Sequence, residues 1–187
     1  MKRMLFALLA ISLLTSPLWA DYNEALKKGD YGAVLREITP LAQKGDAKAQ
    51  SILGTMYANG QGVPLNYEKA VEWIRKAAEQ GFAEAQYNLG VMYDRGFGVP
   101  QNFTEAAKWY QKAAEQGTAG AQYNLGLMYV EGQGVKQNYV QAYMWLSLAA
   151  ARGDQEAVKA RDFIRGKMTS VQIEEGKKLV SKWKPKK

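Results

Sequence analysis

Residues 46–81 read DAKAQSILGTMYANGQGVPLNYEKAVEWIRKAAEQG. The next two blocks, 82–117 (FAEAQYNLGVMYDRGFGVPQNFTEAAKWYQKAAEQG) and 118–153 (TAGAQYNLGLMYVEGQGVKQNYVQAYMWLSLAAARG), align to it without a gap. A 36-residue period in three tandem copies means one supersecondary unit per copy, stacked so that each buries its apolar face on its neighbours. In the second copy Ala85, Leu89, Met92 and Tyr93 recur at helical spacing, and Ala106, Trp109, Tyr110, Ala113 and Ala114 form another stripe. Each copy is therefore expected to be an antiparallel helix pair, and the protein to be all-α.

The punctuation between the stripes repeats with the same period. Gly96 can adopt the left-handed conformation that ends a helix, and Gly98 allows a second tight step. Val99-Pro100 should run extended, because a residue before proline is pushed out of the helical region. Asn102 is the expected N-cap of the second helix, with Glu105 completing a capping box, and Asn138 with Gln141 repeats the arrangement. In the first copy Lys69 follows Asn66 by three residues, which leaves only the dipole contribution of Glu68 at that end. The doublets Gly60-x-Gly62, Gly96-x-Gly98 and Gly132-x-Gly134 follow helices and lack a third glycine at Leu65, Gln101 and Gln137. They read as helix stops, not as a dinucleotide fingerprint. Trp73, Trp109 and Trp145 occupy one position in all copies and are expected to form a core ridge. These signals predict helices over 22–28, 31–44, 46–59, 66–80, 82–95, 102–116, 118–131, 138–152, 154–167 and 170–183.

The flanks read differently. Lys2 and Arg3, the apolar run from Met4 to Leu14 and the stretch ending at Ala20 have the form of a secretory signal peptide over 1–20. Cleavage after Ala20 would leave an exported chain, periplasmic or secreted, with no transmembrane span. Residues 21–45 are read as N-terminal capping helices, with Pro40 ending or kinking the second, and 154–187 as C-terminal capping helices and a basic tail. Thr169 with Gln172 makes a further capping box. Most of the net charge of +7 resides in that tail: Lys177 to Lys187 holds six lysines and no acid, Lys2 and Arg3 lie in the first segment, and the body between is nearly neutral. A nucleic-acid-binding domain would carry its cations across a folded face, so no nucleic-acid partner is expected. The chain has no His and no Cys, which excludes a Ser-His-Asp triad, a thiol nucleophile and imidazole or thiolate metal ligands. No catalytic, metal or cofactor site is expected.

The frame A-x-A-Q-x-x-L-G-x-M-Y-x-x-G-x-G-V-P-x-N-[YF]-x-x-A-x-x-W-x-x-x-A-A-x-x-G resembles the Sel-one-like repeat (SLR) family, a branch of the tetratricopeptide-type helical repeats. It is carried by Gly54, Tyr57, Gly60, Gly62, Val63, Asn66, Ala70, Trp73, Ala77, Ala78 and Gly81 and by their equivalents 36 and 72 residues on. Lys136 replaces the loop proline, and the lack of Cys sets the chain apart from disulfide-stapled members. The resemblance implies a right-handed α-solenoid of stacked antiparallel helix pairs. It further implies a non-catalytic scaffold or adaptor for a protein or peptide partner, in the bacterial cell envelope.

By the same analogy the first helix of each pair lines a concave groove, and a partner would be read by positions that differ between copies. These are Lys48, Ser51 and Thr55 in the first copy, Glu84, Tyr87, Asn88, Val91, Asp94 and Arg95 in the second, and Tyr123, Asn124, Leu127 and Glu131 in the third. Tyr87 and Tyr123 would form a ladder of amphipathic anchors; the competing reading makes both rings core. Two other functions follow from narrower signals. The Lys-rich tail would bind anionic envelope surfaces. Some family members are linked to penicillin hydrolysis, for which the Ser-x-x-Lys run from Ser181 to Lys184 is the sole motif and lacks its partner motifs.

Overall fold

The computed structural model describes residues 17–186, with side chains from Tyr22 onward. Among them are ten helices and no strand: α1 (Pro17–Lys28), α2 (Tyr31–Gln43), α3 (Ala47–Asn59), α4 (Tyr67–Glu79), α5 (Ala83–Arg95), α6 (Phe103–Glu115), α7 (Ala119–Glu131), α8 (Tyr139–Ala150), α9 (Gln155–Arg165) and α10 (Ser170–Lys182). From α2 onward the ends fall within two residues of those expected, apart from the cap positions themselves. The described residues up to Ala85 form one compact unit, and those from Gln86 onward a second.

The caps explain why the ends were predictable. Asp46 Oδ1 accepts from the Ala49 amide at 2.7 Å, Asn102 Oδ1 from the Glu105 amide at 3.0 Å, and Asn138 Oδ1 from the Val140 and Gln141 amides. Two details differ from expectation. Asn66 does cap α4, taking the Lys69 amide at 2.8 Å, because an N-cap bond needs only the backbone N–H of the third residue. The reciprocal box closes at Thr169 with Gln172, whereas the Glu105 carboxylate turns to Lys108 Nζ at 2.6 Å.

Pro40 neither ends nor starts a helix but lies inside α2. Its missing N–H withholds from the Arg36 carbonyl the amide that would serve it four residues on, and only three residues of helix follow the proline. Helix α1 begins at Pro17 rather than at Tyr22 and passes through Ala20. Most of the expected signal segment, residues 1–16, lies outside the described residues.

In the first unit α1 packs on α2, α2 on α3 and α3 on α4. The core there is Tyr22, Val34, Ile38, Ala42, Ala49, Leu53 and Met56. In the second unit α7 packs between α6 and α8, and α8 also meets α9 and α10. One cluster gathers Tyr110, Leu125, Met128, Trp145 and Leu148, and another gathers Tyr143, Leu146, Ala157 and Ile164. The glycine inside each first helix exists for close approach. A Cβ there would lie 2.5 Å from Ile74 at Gly54, 2.6 Å from Tyr110 at Gly90 and 2.7 Å from Leu146 at Gly126.

The shared glutamine has a role that periodicity did not reveal. Gln50 Nε2 donates to the Ala42 carbonyl at 3.0 Å and Gln122 Nε2 to the Ala114 carbonyl at 3.1 Å, each bond tying a first helix to the end of the helix before it. Gln80 Nε2 then donates to Gln50 Oε1 at 2.7 Å, and Gln116 Nε2 to Gln86 Oε1 at 2.8 Å. Both Gln50 and Gln122 are buried, so each bond gives a buried side-chain amide its partner, at a carbonyl that also accepts from the Gly45 or Gly117 amide.

Candidate protein-binding face

Within the second unit the face is made by α5 and α7. Their stripes split cleanly: Leu89, Met92, Ala121, Leu125 and Met128 are buried, with none above 5% exposed. Val91, Asp94, Tyr123, Asn124 and Leu127 are half-exposed, and Arg95 and Glu131 are exposed. Asn88 is buried at 7%, and in the first unit Ser51 is buried at 4%, so neither offers a contact surface. Thr55 is half-buried, with its hydroxyl donating to the Ser51 carbonyl at 2.9 Å.

The two tyrosines combine features of both readings. The Tyr87 ring is half-buried, 5.9 Å from the Tyr110 ring, and packs against the Tyr110–Trp145 cluster. Its tip lies 3.1 Å from where a Cβ of Gly120 would stand, so α5 and α7 meet there because residue 120 has no side chain. Tyr123 packs in the same manner on the Leu146–Ile164 cluster. Both rings support the fold, so Tyr87→Ala or Tyr123→Ala acts on stability as well as on any contact.

Charged groups on these helices are partly desolvated. Burial raises the Asp94 carboxyl above its usual range, and Arg95, with Nε at 3.4 Å, opposes the shift. Burial, and then the negative charge of Asp94, pushes the Tyr110 phenol far up. The Tyr110 hydroxyl faces the Asn124 side chain without closing a bond of good geometry. In the first unit burial raises the Glu84 carboxyl while Lys48 opposes it, and burial together with Glu84 pushes the Tyr22 phenol up to about 12.

Tyr22 makes that last shift measurable. Its phenol titrates near 10 in the unfolded chain and near 12 in the folded one, so between those values the unfolded state gives up its proton first. The Tyr22 contribution is whole below pH 10 and is lost as pH rises through 12, a fall of ~2–3 kcal/mol at about 1.4 kcal/mol per unit. Urea unfolding across that interval is expected to show a shallower decline for Tyr22→Phe than for the parent chain. Parallel declines would show that Tyr22 is not responsible.

The basic tail is not simply solvated. Trp183 packs on the Tyr110–Trp145 cluster, the Lys186 amide donates to the Glu115 carbonyl at 2.8 Å, and Lys186 Nζ meets Glu115 Oε2 at 2.6 Å. Burial alone would raise the Glu115 carboxyl, but hydrogen bonds from Gln111 and Lys186 outweigh it and hold the group below its usual range. Ser181 donates its hydroxyl to the Lys178 carbonyl at 3.0 Å. Among the described residues no group of carboxylates gathers to hold a metal ion, and no helix is long and apolar enough to cross a membrane.

A scan against family models matches the Sel1 repeat three times, at residues 47–82, 83–118 and 119–154. The chain belongs to the Sel1 repeat family. Sel1 repeat proteins are in general non-catalytic scaffolds for protein interactions, and their repeats suggest protein partners. Among solved structures, a protective antigen of uropathogenic Escherichia coli with an SLR fold is similar at 32% identity and a TM-score of 0.74, over 87% of this chain and 39% of that one. A Sel1 repeat protein from Oxalobacter formigenes is 46% identical with a TM-score of 0.68, over 73% of this chain and 56% of that one. The chain thus spans well under two thirds of either protein. Helicobacter pylori cysteine-rich protein B, 22% identical over 78% of this chain and 97% of that one with a TM-score of 0.51, shows the same fold. No curated protein matches the chain. With the helix packing above, these likenesses establish a Sel1-type α-solenoid of stacked helix pairs.

Proposed function

We propose that this Sel1 repeat protein is a scaffold of the bacterial cell envelope that holds a peptide or protein segment on the α5–α7 face. The observation that carries this is the split within those helices. Positions shared by the repeats are buried, while Val91, Tyr123 and Leu127 leave apolar surface at positions that vary, rimmed by Arg95, Asn124 and Glu131. Apolar anchors within a polar rim of both charge signs suit a polypeptide and not a polyanion. Site-specific photo-crosslinkers are the test. Probes at Val91 and Leu127 are expected to capture one common partner, and a probe at Lys108, exposed on α6, to capture none of it. Equal capture from Lys108 would defeat the proposal.

Export rests on the first twenty residues of the sequence, and the chain recovered from the periplasm or medium is expected to begin at Asp21 by mass spectrometry. Retention of residues 1–20 would refute it. Lys178, Lys182 and Lys184 are exposed and supply a weak contact with anionic envelope surfaces, recognisable by its loss as salt is raised.

A further inference from the structure

The glycine loops do more than end helices: each of two loops seats on the first turn of an earlier second helix. A Cβ at Gly62 would lie 2.9 Å from Tyr31 Cβ and 3.1 Å from the Tyr31 carbonyl, at the start of α2. Gln61 Nε2 donates to the Tyr31 hydroxyl at 3.0 Å. Two repeats later Gly134 seats on Phe103 and Thr104 at the start of α6, even more tightly. Tyr31, Phe103 and Tyr139 are equivalent by the 36-residue period, each the first residue of its helix. The seat is thus a recurring surface with a recurring occupant.

At α8 the occupant is missing from the chain's own path. The connections 60–66, 96–102 and 132–138 have seven residues each, whereas α9 and α10 are joined by the four residues 166–169. No glycine doublet reaches the first turn of α8. An open pocket of about 1030 Å³ lies there, walled by Tyr129, Val135, Asn138, Tyr139, Gln172 and Glu175 among others.

We propose that this pocket is a docking site for a glycine-turn loop of a partner chain, of the Gly-x-Gly-Val type that fills the equivalent seats within this one. The warrant is continuity with an interface the molecule already makes. The first turn of α8 is equivalent to the surface that Gly134 occupies on α6, and the shortened α9–α10 connection brings no loop to it; α10 covers only the next turn, where Gly176 packs on Tyr143. The specificity follows from the same geometry: the second glycine of the turn must be glycine, because its left-handed backbone lies too close to the seat for a Cβ.

The test uses the full chain and a synthetic peptide of residues 59–66, NGQGVPLN, followed by backbone amide NMR. Saturable shifts are expected at Asn138 to Gln141 and at Gln172 to Glu175, with a dissociation constant on the order of millimolar. The same peptide carrying Gly62→Ala should bind at least about tenfold more weakly, a difference of roughly 1.4 kcal/mol. Glu175→Arg in the protein, an exposed substitution that narrows the pocket without touching the core, should weaken the parent peptide similarly. Absence of shifts up to about 10 mM peptide, shifts centred on Val91, Tyr123 and Leu127, or equal binding of both peptides would overturn the proposal. A result on those face positions would leave the scaffold reading standing, since Val91, Tyr123 and Leu127 do not line this pocket.

Discussion

Gly134→Ala is expected to cost ~2–5 kcal/mol, the sum of about 1–2 for a left-handed non-glycine residue and about 1–3 for overpacking. Residue 134 has φ +67°, and a Cβ there would run into the Phe103 carbonyl group and the Thr104 amide. Those neighbours are backbone atoms in the first turn of α6, so no side-chain rotation relieves the clash. Relief requires moving the 132–138 loop off α6 or opening the first turn of that helix. A domain of this size has about 5–15 kcal/mol of total stability, so the loss is a large share of it. Gly153→Ala is the matched control, since Gly153 has φ +90° but no atom within 4 Å of where a Cβ would stand. It should lose only ~1–2 kcal/mol, the conformational part alone. Urea unfolding of the two variants separates the contributions, and equal losses would remove the seat from the account of stability.

Trp109→Ala and Trp145→Ala should each lose ~3–5 kcal/mol, the cost of emptying a buried aromatic site. Trp109 is 8% exposed and Trp145 is 3% exposed, the latter within the Tyr110–Leu125 cluster. Lys112 Nζ stands 4.1 Å from the Trp109 ring centroid and shields the ring from solvent. Trp183 is half-buried on the surface of the same cluster, at the end of α10, and its removal should cost about 1–2 kcal/mol, because solvent can fill the space it leaves. Melts of the three variants give the comparison; a Trp183→Ala loss as large as the other two would mean that the tail is part of the core. Trp73 is half-buried, with Lys76 Nζ at 4.4 Å from its centroid, so the ridge expected from the shared position is graded in depth.

Helix type, the three repeats and the helix ends from α2 onward were legible in the amino-acid order, whereas the start of α1 at Pro17 was not. The signals behind them act within a few residues: apolar spacing of three and four, an Asn or Asp oxygen reaching an amide three residues on, and glycine at a left-handed stop. The same locality explains why Asn66 caps α4 whatever side chain stands at residue 69. The frame positions of the first helices were also legible as core, because whatever recurs in every copy is what the stacking of copies requires.

Tertiary structure decided everything that depends on what lies across a gap between helices. Ser51 and Asn88 differ or recur in sequence without regard to exposure, yet the neighbouring helices cover both. Tyr87 became a support as well as a surface because Gly120 leaves room for its ring, a fact about two helices and not about either one. The tail, read as a run of charge, is fastened by Lys186 to Glu115, which lies 71 residues earlier in the chain. The open seat on α8 follows from a connection shortened to four residues, and its meaning appears only once the occupied seats on α2 and α6 are seen beside it. Periodicity and capping are short-range and therefore survive in the linear order; burial, ion pairing and vacancy depend on distances between residues far apart in the chain, which only the folded packing sets.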